Sequence, residues 1–258
     1  MSAESRSRRA SAPGFTADLS RSRALLRVFG EEQTDPQKFY SEIAADSAAH
    51  VNYYAPLQNK VLLDIGGGPG YFADAFRDAG ATYFALDSDA DEQRLHGRSP
   101  EGGTTLLADG RKLPFRDQSV DITFSSNVME HVSTPWAVAD EMVRVTRPGG
   151  TIFISYTTWF SPHGGHETWP WHYLGGERAL EHYKRKHGVP PKNIFGQNMF
   201  VVTTRAGLEW ATRRAADGSV DVVELFPRYH PRWAYGIVRI PGLRELATWN
   251  LVLVLRRR

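Results

Sequence analysis

The chain has no cysteine among its 258 residues. That absence removes disulfides, thiolate metal sites and a cysteine nucleophile, and it is the usage expected of a cytoplasmic protein. No apolar run approaches the ~20 residues that a membrane-spanning helix needs. Charge of one sign is scarce as well: Lys and Arg number 31 against 29 Asp and Glu, a formal net charge of +2. Near neutrality argues against bulk electrostatic capture of nucleic acid, so no nucleic-acid partner is expected. Residues 1–14 carry basic side chains but no apolar core segment, so they do not read as a signal peptide. There are no internal repeats. What is present is an ordinary globular composition, 41% hydrophobic and 23% charged, long enough for one sizeable core.

The most informative stretch is Val61-Leu62-Leu63-Asp64-Ile65-Gly66-Gly67-Gly68-Pro69-Gly70-Tyr71-Phe72. Three successive apolar residues suit a parallel strand covered on both faces. The glycines remove Cβ atoms where a ligand must approach the backbone, and a helix is expected to open at about Tyr71 with free N–H groups. The dinucleotide fingerprint G-x-G-x-x-G does not fit, because Tyr71 stands at its sixth position. A P-loop is excluded by the lack of a following Lys-Ser/Thr. The pattern is D-x-G-x-G-x-G from Asp64, and an acid just before the turn suits a cationic ligand better than a pyrophosphate.

Further motifs follow in order. Residues 82–87 form a second apolar run ending in an acid, Asp87, 23 positions after Asp64. A carboxylate there can accept two hydrogen bonds from ribose hydroxyls. Residues 104–110 end a third strand at Asp109-Gly110, an acid able to accept from an adenine amino group. Then come Leu113-Pro114-Phe115, a fourth strand over 119–127, Glu130-His131-Val132, and Arg147-Pro148-Gly149-Gly150 before a fifth strand at 151–155. This ordered set over residues 60–156 resembles the class I S-adenosylmethionine-dependent methyltransferases of the small-molecule type. The resemblance implies S-adenosylmethionine as cofactor. It also implies an α/β, Rossmann-like sheet of seven strands, mostly parallel with an antiparallel last strand, and helices on both faces. Cofactor residues carried over are Asp64, Gly66, Gly67, Gly68, Gly70, Asp87, Ser88, Asp109, Gly110 and Asn127.

The expected division is a disordered tail (1–16) and one methyltransferase domain (17–258). Within that domain lie a helical cap (17–56), a cofactor core (57–156), a lid insertion (157–200) and the last two strands (201–258). Helices are expected over 19–29 and from Pro36, with Asp35 as N-cap. Phe39 and Tyr40 are candidates to cover the cofactor, with plain packing as the competing reading. Residues 92–95 and 138–145 supply crossover helices, and right-handed crossovers bring every strand's C-terminal end to one edge of the sheet. Another helix is expected over 177–186, a short strand over 200–202, a helix over 205–214 capped by Thr204, and strands at 220–226 and 250–255. The terminal Arg256-Arg257-Arg258 reads as a solvated end.

The loops after strands four and five should flank the reactive methyl. The second of them, residues 156–176, holds three of the seven Trp and three of the nine His. So aromatic a segment, rich in Gly and Pro, is expected to be a lid over a binding site, the competing reading being an association surface. Transfer to a hydroxyl needs alignment and gains about 10²–10⁴-fold from a general base. Candidate catalytic residues are His131, His166, His163 and Glu130, histidine being suited by its near-neutral pKa. Candidate acceptor contacts are Tyr40, Trp159, His163, His166, Glu167, Trp169, Trp171, His172 and Tyr173. Sugar C–H faces stack on indole while hydroxyls meet polar groups, which ranks a saccharide acceptor first, then a quinone or phenolic natural product. A degenerate, methyltransferase-like binding protein is the alternative outside catalysis. Mg²⁺ held by His166, Glu167 and His172 is a further option, although these spacings match no established metal motif. The chain is expected to act as a monomer or homodimer.

Overall fold

A computed structural model describes residues 15–29, 36–89 and 105–258. Its centre is a seven-stranded sheet in the order β3-β2-β1-β4-β5-β7-β6. The strands are β1 (Val61–Ile65), β2 (Thr82–Asp87), β3 (Thr105–Leu107), β4 (Val120–Ser126), β5 (Thr146–Thr157), β6 (Val220–Pro227) and β7 (Asn250–Arg257). β1 pairs in parallel with β2 and β4, β2 with β3, and β4 with β5. β7 lies antiparallel between β5 and β6. The expected fold is therefore the observed one.

Strand side chains alternate between two cores, as the period of two demands. On β7, Val252 and Val254 enter one core while Leu251, Leu253 and Leu255 enter the other. The first core is covered by α1 (Leu19–Phe29), α2 (Pro36–Tyr54) and α3 (Ala73–Asp78), through Leu25, Ile43, Val51 and Phe76. The second is covered by α4 (Pro135–Val145) and α6 (Thr204–Ala216), through Val138, Met142 and Trp210. α5 (Gly176–His187) and α7 (Leu243–Ala247) complete the helices of the described residues. None of these is long and apolar enough to cross a membrane.

Several boundaries differ from the sequence expectation for local reasons. α3 opens at Ala73 instead of Tyr71, because Gly70 at φ +80° keeps the chain in a turn. β3 ends at Leu107, so Asp109 stands two residues beyond it. β5 begins at Thr146, with a register shift opposite Val120 and Ile122 that absorbs Arg147-Pro148-Gly149-Gly150 as a bulge. Thr203, not Thr204, caps α6: its side chain accepts from the Ala206 N–H at 3.1 Å. Residues 200–202 form no strand. The arginine end is not simply solvated. Arg256 and Arg257 belong to β7, and their guanidinium groups donate to the Gly149 and Ser219 carbonyls. The crossover helix expected at 92–95, the N-cap Asp35 and residues 1–14 of the tail expected over 1–16 lie outside the described residues, whereas Phe15 is packed, its ring stacked on His50 at 4.0 Å.

Topology fixes where a ligand can enter. From β1 the chain builds outward through β2 and β3, then returns to place β4 and β5 on the other side. The switch point between β1 and β4 opens a crevice beyond the strands' C-terminal ends.

Candidate active site

A cleft of about 1350 Å³ occupies that crevice. It exceeds the ~300–1,000 Å³ of a typical single-ligand pocket, so a cofactor and an acceptor can share it.

The glycine turn forms one wall. Gly66 and Gly67 N–H groups donate to the Leu86 carbonyl at 2.7 and 3.2 Å, and Gly68 N–H donates to Asp87 Oδ2 at 2.9 Å. Gly66 and Gly68 adopt φ +79° and +49°, where glycine escapes the Cβ penalty. Their surroundings differ sharply. A Cβ on Gly66 would lie 2.2 Å from Val128 Cγ2, whereas a Cβ on Gly68 would meet nothing within 4 Å. Gly66 is glycine for packing, while Gly68 leaves bare backbone beside the cleft. That is the cradle S-adenosylmethionine requires, and Asp87 stands next to it, so these residues fit the cofactor.

Asp64 lies elsewhere than expected. It is 1% exposed beneath the turn and accepts the Tyr83 hydroxyl at 2.6 Å. Burial holds its carboxyl up to about 7, against the Tyr83 hydrogen bond, which lowers it. An acid in the strand, facing Tyr83, braces the turn and does not line the cleft. Asp87, Ser88, Asp109, Gly110 and Asn127 do line it, as do Gly66, Gly67 and Gly68. Gly70 is set back from the lining. Asp109 is held in a bidentate pair by Arg111, with contacts of 2.7 to 3.0 Å, which keeps its carboxyl below the ordinary range. Asn127 at φ +56° accepts from Asn250 Nδ2 at 2.7 Å.

Beneath the floor, the fully buried Arg228 ties three elements together. Its guanidinium donates to Ser126 and Ser155, at the ends of β4 and β5, and to Ser47 of α2. Fixing those ends fixes the loops that follow.

The two loops meet as adjacent parallel strands predict. Short 3₁₀ turns at Met129–His131 and His166–Thr168 bring the His131 and His166 rings to 5.2 Å, edge to face. His131 Nδ1 lies 2.7 Å from the Asn198 carbonyl oxygen. A carbonyl only accepts, so Nδ1 carries a hydrogen, and in the neutral ring the lone pair falls to Nε2. Glu130 is 2% exposed. Its Oε1 accepts from the Thr157 N–H at 2.9 Å, while Oε2 has no hydrogen-bond partner among the described residues. Burial raises the Glu130 carboxyl, partly offset by neighbouring His131. His166, at the strained φ of +45°, also buries an unpartnered Nε2. Burial first, then His131, His163 and Lys192, lower its imidazole to about 3. His163 lines the cleft edge-on to Trp249, with ring centroids 6.1 Å apart.

The lid is only partly a lid. Tyr40, His163, His166 and Glu167 reach the cleft, Tyr40 stacked on Tyr71 at 3.9 Å. Trp159 is buried against His172 and Phe195. His172 is buried too, with Nε2 at 3.2 Å from the Ser161 carbonyl oxygen. Neither lines the cleft. Trp169, Trp171 and Tyr173 are 56, 42 and 43% exposed and stand outside it. The wall they were expected to supply comes from Asn193, Gln197, Asn198, Tyr229 and Trp249. No motif announces these residues in the sequence, and only the chain's return across the β4 and β5 loops places them.

A profile for a methyltransferase domain matches residues 63–154. A Mycolicibacterium gilvum (strain PYR-GCK) protein, named an uncharacterized methyltransferase, is 49% identical over 250 residues, covering 93% of this chain and 95% of its own. Another so named, from Mycobacterium tuberculosis (strain ATCC 25177 / H37Ra), is 49% identical over 247 residues with the same coverage. Among solved structures, an S-adenosylmethionine-dependent methyltransferase from Mesorhizobium loti shares the fold, with a TM-score of 0.55. It is 21% identical and covers 83% of this chain and 98% of that one.

Proposed function

The chain belongs to the S-adenosylmethionine-dependent methyltransferase family, and from that premise we propose that it methylates a hydroxyl oxygen of a small polyhydroxylated acceptor, a saccharide or glycoside. The observation that carries the reading is the meeting of His131 and His166 at one wall, among the amide side chains of Asn193, Gln197 and Asn198. The Asn198 amide is tied to the Ile194 N–H and the Lys192 carbonyl, and Asn193 Nδ2 to Glu167, so Gln197 and the Asn193 oxygen are the amide groups that suit an acceptor bearing several hydroxyls. Trp249 and Tyr40 offer apolar faces.

Bound S-adenosylmethionine supplies a sulfonium methyl: an oxygen–carbon bond forms as the sulfur–carbon bond breaks, the thioether departs, and the hydroxyl proton needs a base. His131 takes that proton at Nε2, because its Nδ1–H is committed to the Asn198 carbonyl. His166, kept neutral by burial, adds no positive charge to oppose the imidazolium that forms on His131. Asp87, with Ser88 beside it, would accept the ribose hydroxyls, and Asp109 with Gly110 would border the adenine. Walls at Tyr40 and Tyr71 exclude water from one side.

The test is methyl transfer from labelled S-adenosylmethionine to a panel of mono- and oligosaccharides, with quinone and phenolic acceptors in parallel. Product from saccharides is expected. Product from planar phenols alone would overturn the acceptor assignment while leaving the methyltransferase standing.

A further inference from the structure

The His131–His166 wall has a third member. One ligating atom from each of Glu130, His131 and His166 lies within 4.8 Å of the other two. Two of the three side chains contain an atom with nothing to bind: Glu130 Oε2 and His166 Nε2 are both buried without a hydrogen-bond partner among the described residues. Buried polar atoms are ordinarily paired, and these two stand out from the other unpaired atoms of the described residues because they lie in one cluster with a third ligating side chain. Glu130, itself almost fully buried, has its other oxygen fixed by the Thr157 N–H. His131 has Nδ1 fixed by the Asn198 carbonyl, which leaves Nε2 as its donor to an ion. A backbone carbonyl behind an imidazole is the arrangement that orients a metal-ligating histidine.

We propose that Glu130, His131 and His166 form a binding site for a divalent transition-metal ion of the Zn²⁺ class, opening on the cleft. Two imidazoles, which are borderline donors, joined by one carboxylate make a two-histidine, one-glutamate set that suits Zn²⁺ and its neighbours, whereas Mg²⁺ prefers an all-oxygen shell. Three protein ligands leave a position for water or substrate, as in catalytic zinc sites. Donors at about 2.0–2.1 Å from a tetrahedral ion stand roughly 3.4 Å from one another, so the three side chains draw slightly together on binding. This set replaces the one suggested by spacing alone. His172 turns away to Ser161, and the Glu167 carboxylate is held by Asn193 Nδ2 at 3.1 Å.

The site stands on geometry; its catalytic consequence rests on the O-methylation reading. An acceptor hydroxyl bound to the ion loses its proton to solvent more readily, since a bound cation lowers the pKa of an oxygen ligand. His131 then serves as a ligand, and its role as base belongs to the ion-free protein.

The experiment uses the full chain without an affinity tag, stripped with EDTA and assayed without cofactor or acceptor, so that failure of the methyl-transfer reading cannot affect it. Zn²⁺ titration by calorimetry should give one ion per chain. His166→Ala and His131→Ala should each weaken binding at least tenfold, and His163→Ala should leave it within about twofold. Co²⁺ added to the wild-type chain should develop the visible absorption of a low-symmetry site, a readout that survives if a variant fails to fold. No stoichiometric binding by the wild-type chain, or unchanged affinity in folded His166→Ala, would overturn the site.

Discussion

The two glycines of the turn separate stability from cofactor binding, and the separation can be worked out from the structure. Both have positive φ, so alanine at either forces a left-handed residue, at a cost of about 1–2 kcal/mol. At Gly68 that is the whole structural penalty, because the new methyl meets nothing within 4 Å. At Gly66 the methyl overlaps Val128, with Cγ2 at 2.2 Å and Cγ1 at 2.9 Å. Val128 sits between β4 and the Met129–His131 turn, so it cannot move without moving the histidine wall. Overpacking of this kind adds about 1–3 kcal/mol, making Gly66→Ala worth roughly 2–5 kcal/mol in all. Binding should rank the other way. The Gly68 methyl stands where the cofactor must approach bare backbone, so Gly68→Ala should bind S-adenosylmethionine at least tenfold more weakly while remaining well folded. Urea denaturation measures the first quantity and calorimetric titration the second. A Gly68→Ala chain that binds normally, or that is destabilised as much as Gly66→Ala, would refute the division of roles.

Three more outcomes follow from named side chains. Asp87→Ala removes the acceptor of the Gly68 N–H and the proposed ribose partner together, so cofactor affinity measured by calorimetry should fall about 10–100-fold, at ~1.4 kcal/mol per decade; unchanged affinity would contradict the ribose role. Asp64 binds a proton up to about pH 7 in the folded chain but only to about its ordinary 3.8 when unfolded. Between those values the folded state holds the extra proton, so its stability falls as pH rises, by roughly 4 kcal/mol across the window. Asp64→Asn should abolish that slope, and a wild-type-minus-mutant stability difference that stays flat from pH 4 to 8 would show the carboxyl is not so buried. In the ion-free protein, His131→Ala should lower kcat about 10²–10⁴-fold, the usual contribution of a general base, while leaving cofactor affinity nearly intact. Wild-type turnover in that variant would transfer the base to His163.

The sheet was legible because its signals are periodic and local. Apolar runs ending at glycine or an acid marked β1 and β2, the Ser119-Val120-Asp121 motif marked β4, and adjacency of β4 with β5 followed from the usual crossover rules. That adjacency already implied that residues after the two strands would meet, and His131 with His166 does so. Residues 157–175, which precede α5, carried no such information. In a helix or strand, spacing says which side chain faces inward; in consecutive 3₁₀ turns and bends no period survives to say it. Aromatic content therefore identified the segment but could not orient it. Small residues decide the orientation. A Cβ on Gly165 would lie 2.4 Å from the His172 ring, and one on Gly176 would lie 2.1 Å from Phe195. These close approaches draw His172 and Phe195 inward against Trp159 and leave Trp169, Trp171 and Tyr173 on the outside. The same packing carries His166 to the wall at a strained φ. His166 is held there at conformational cost, and its buried Nε2, unpaired among the described residues, is the atom for which the proposed ion would supply a partner.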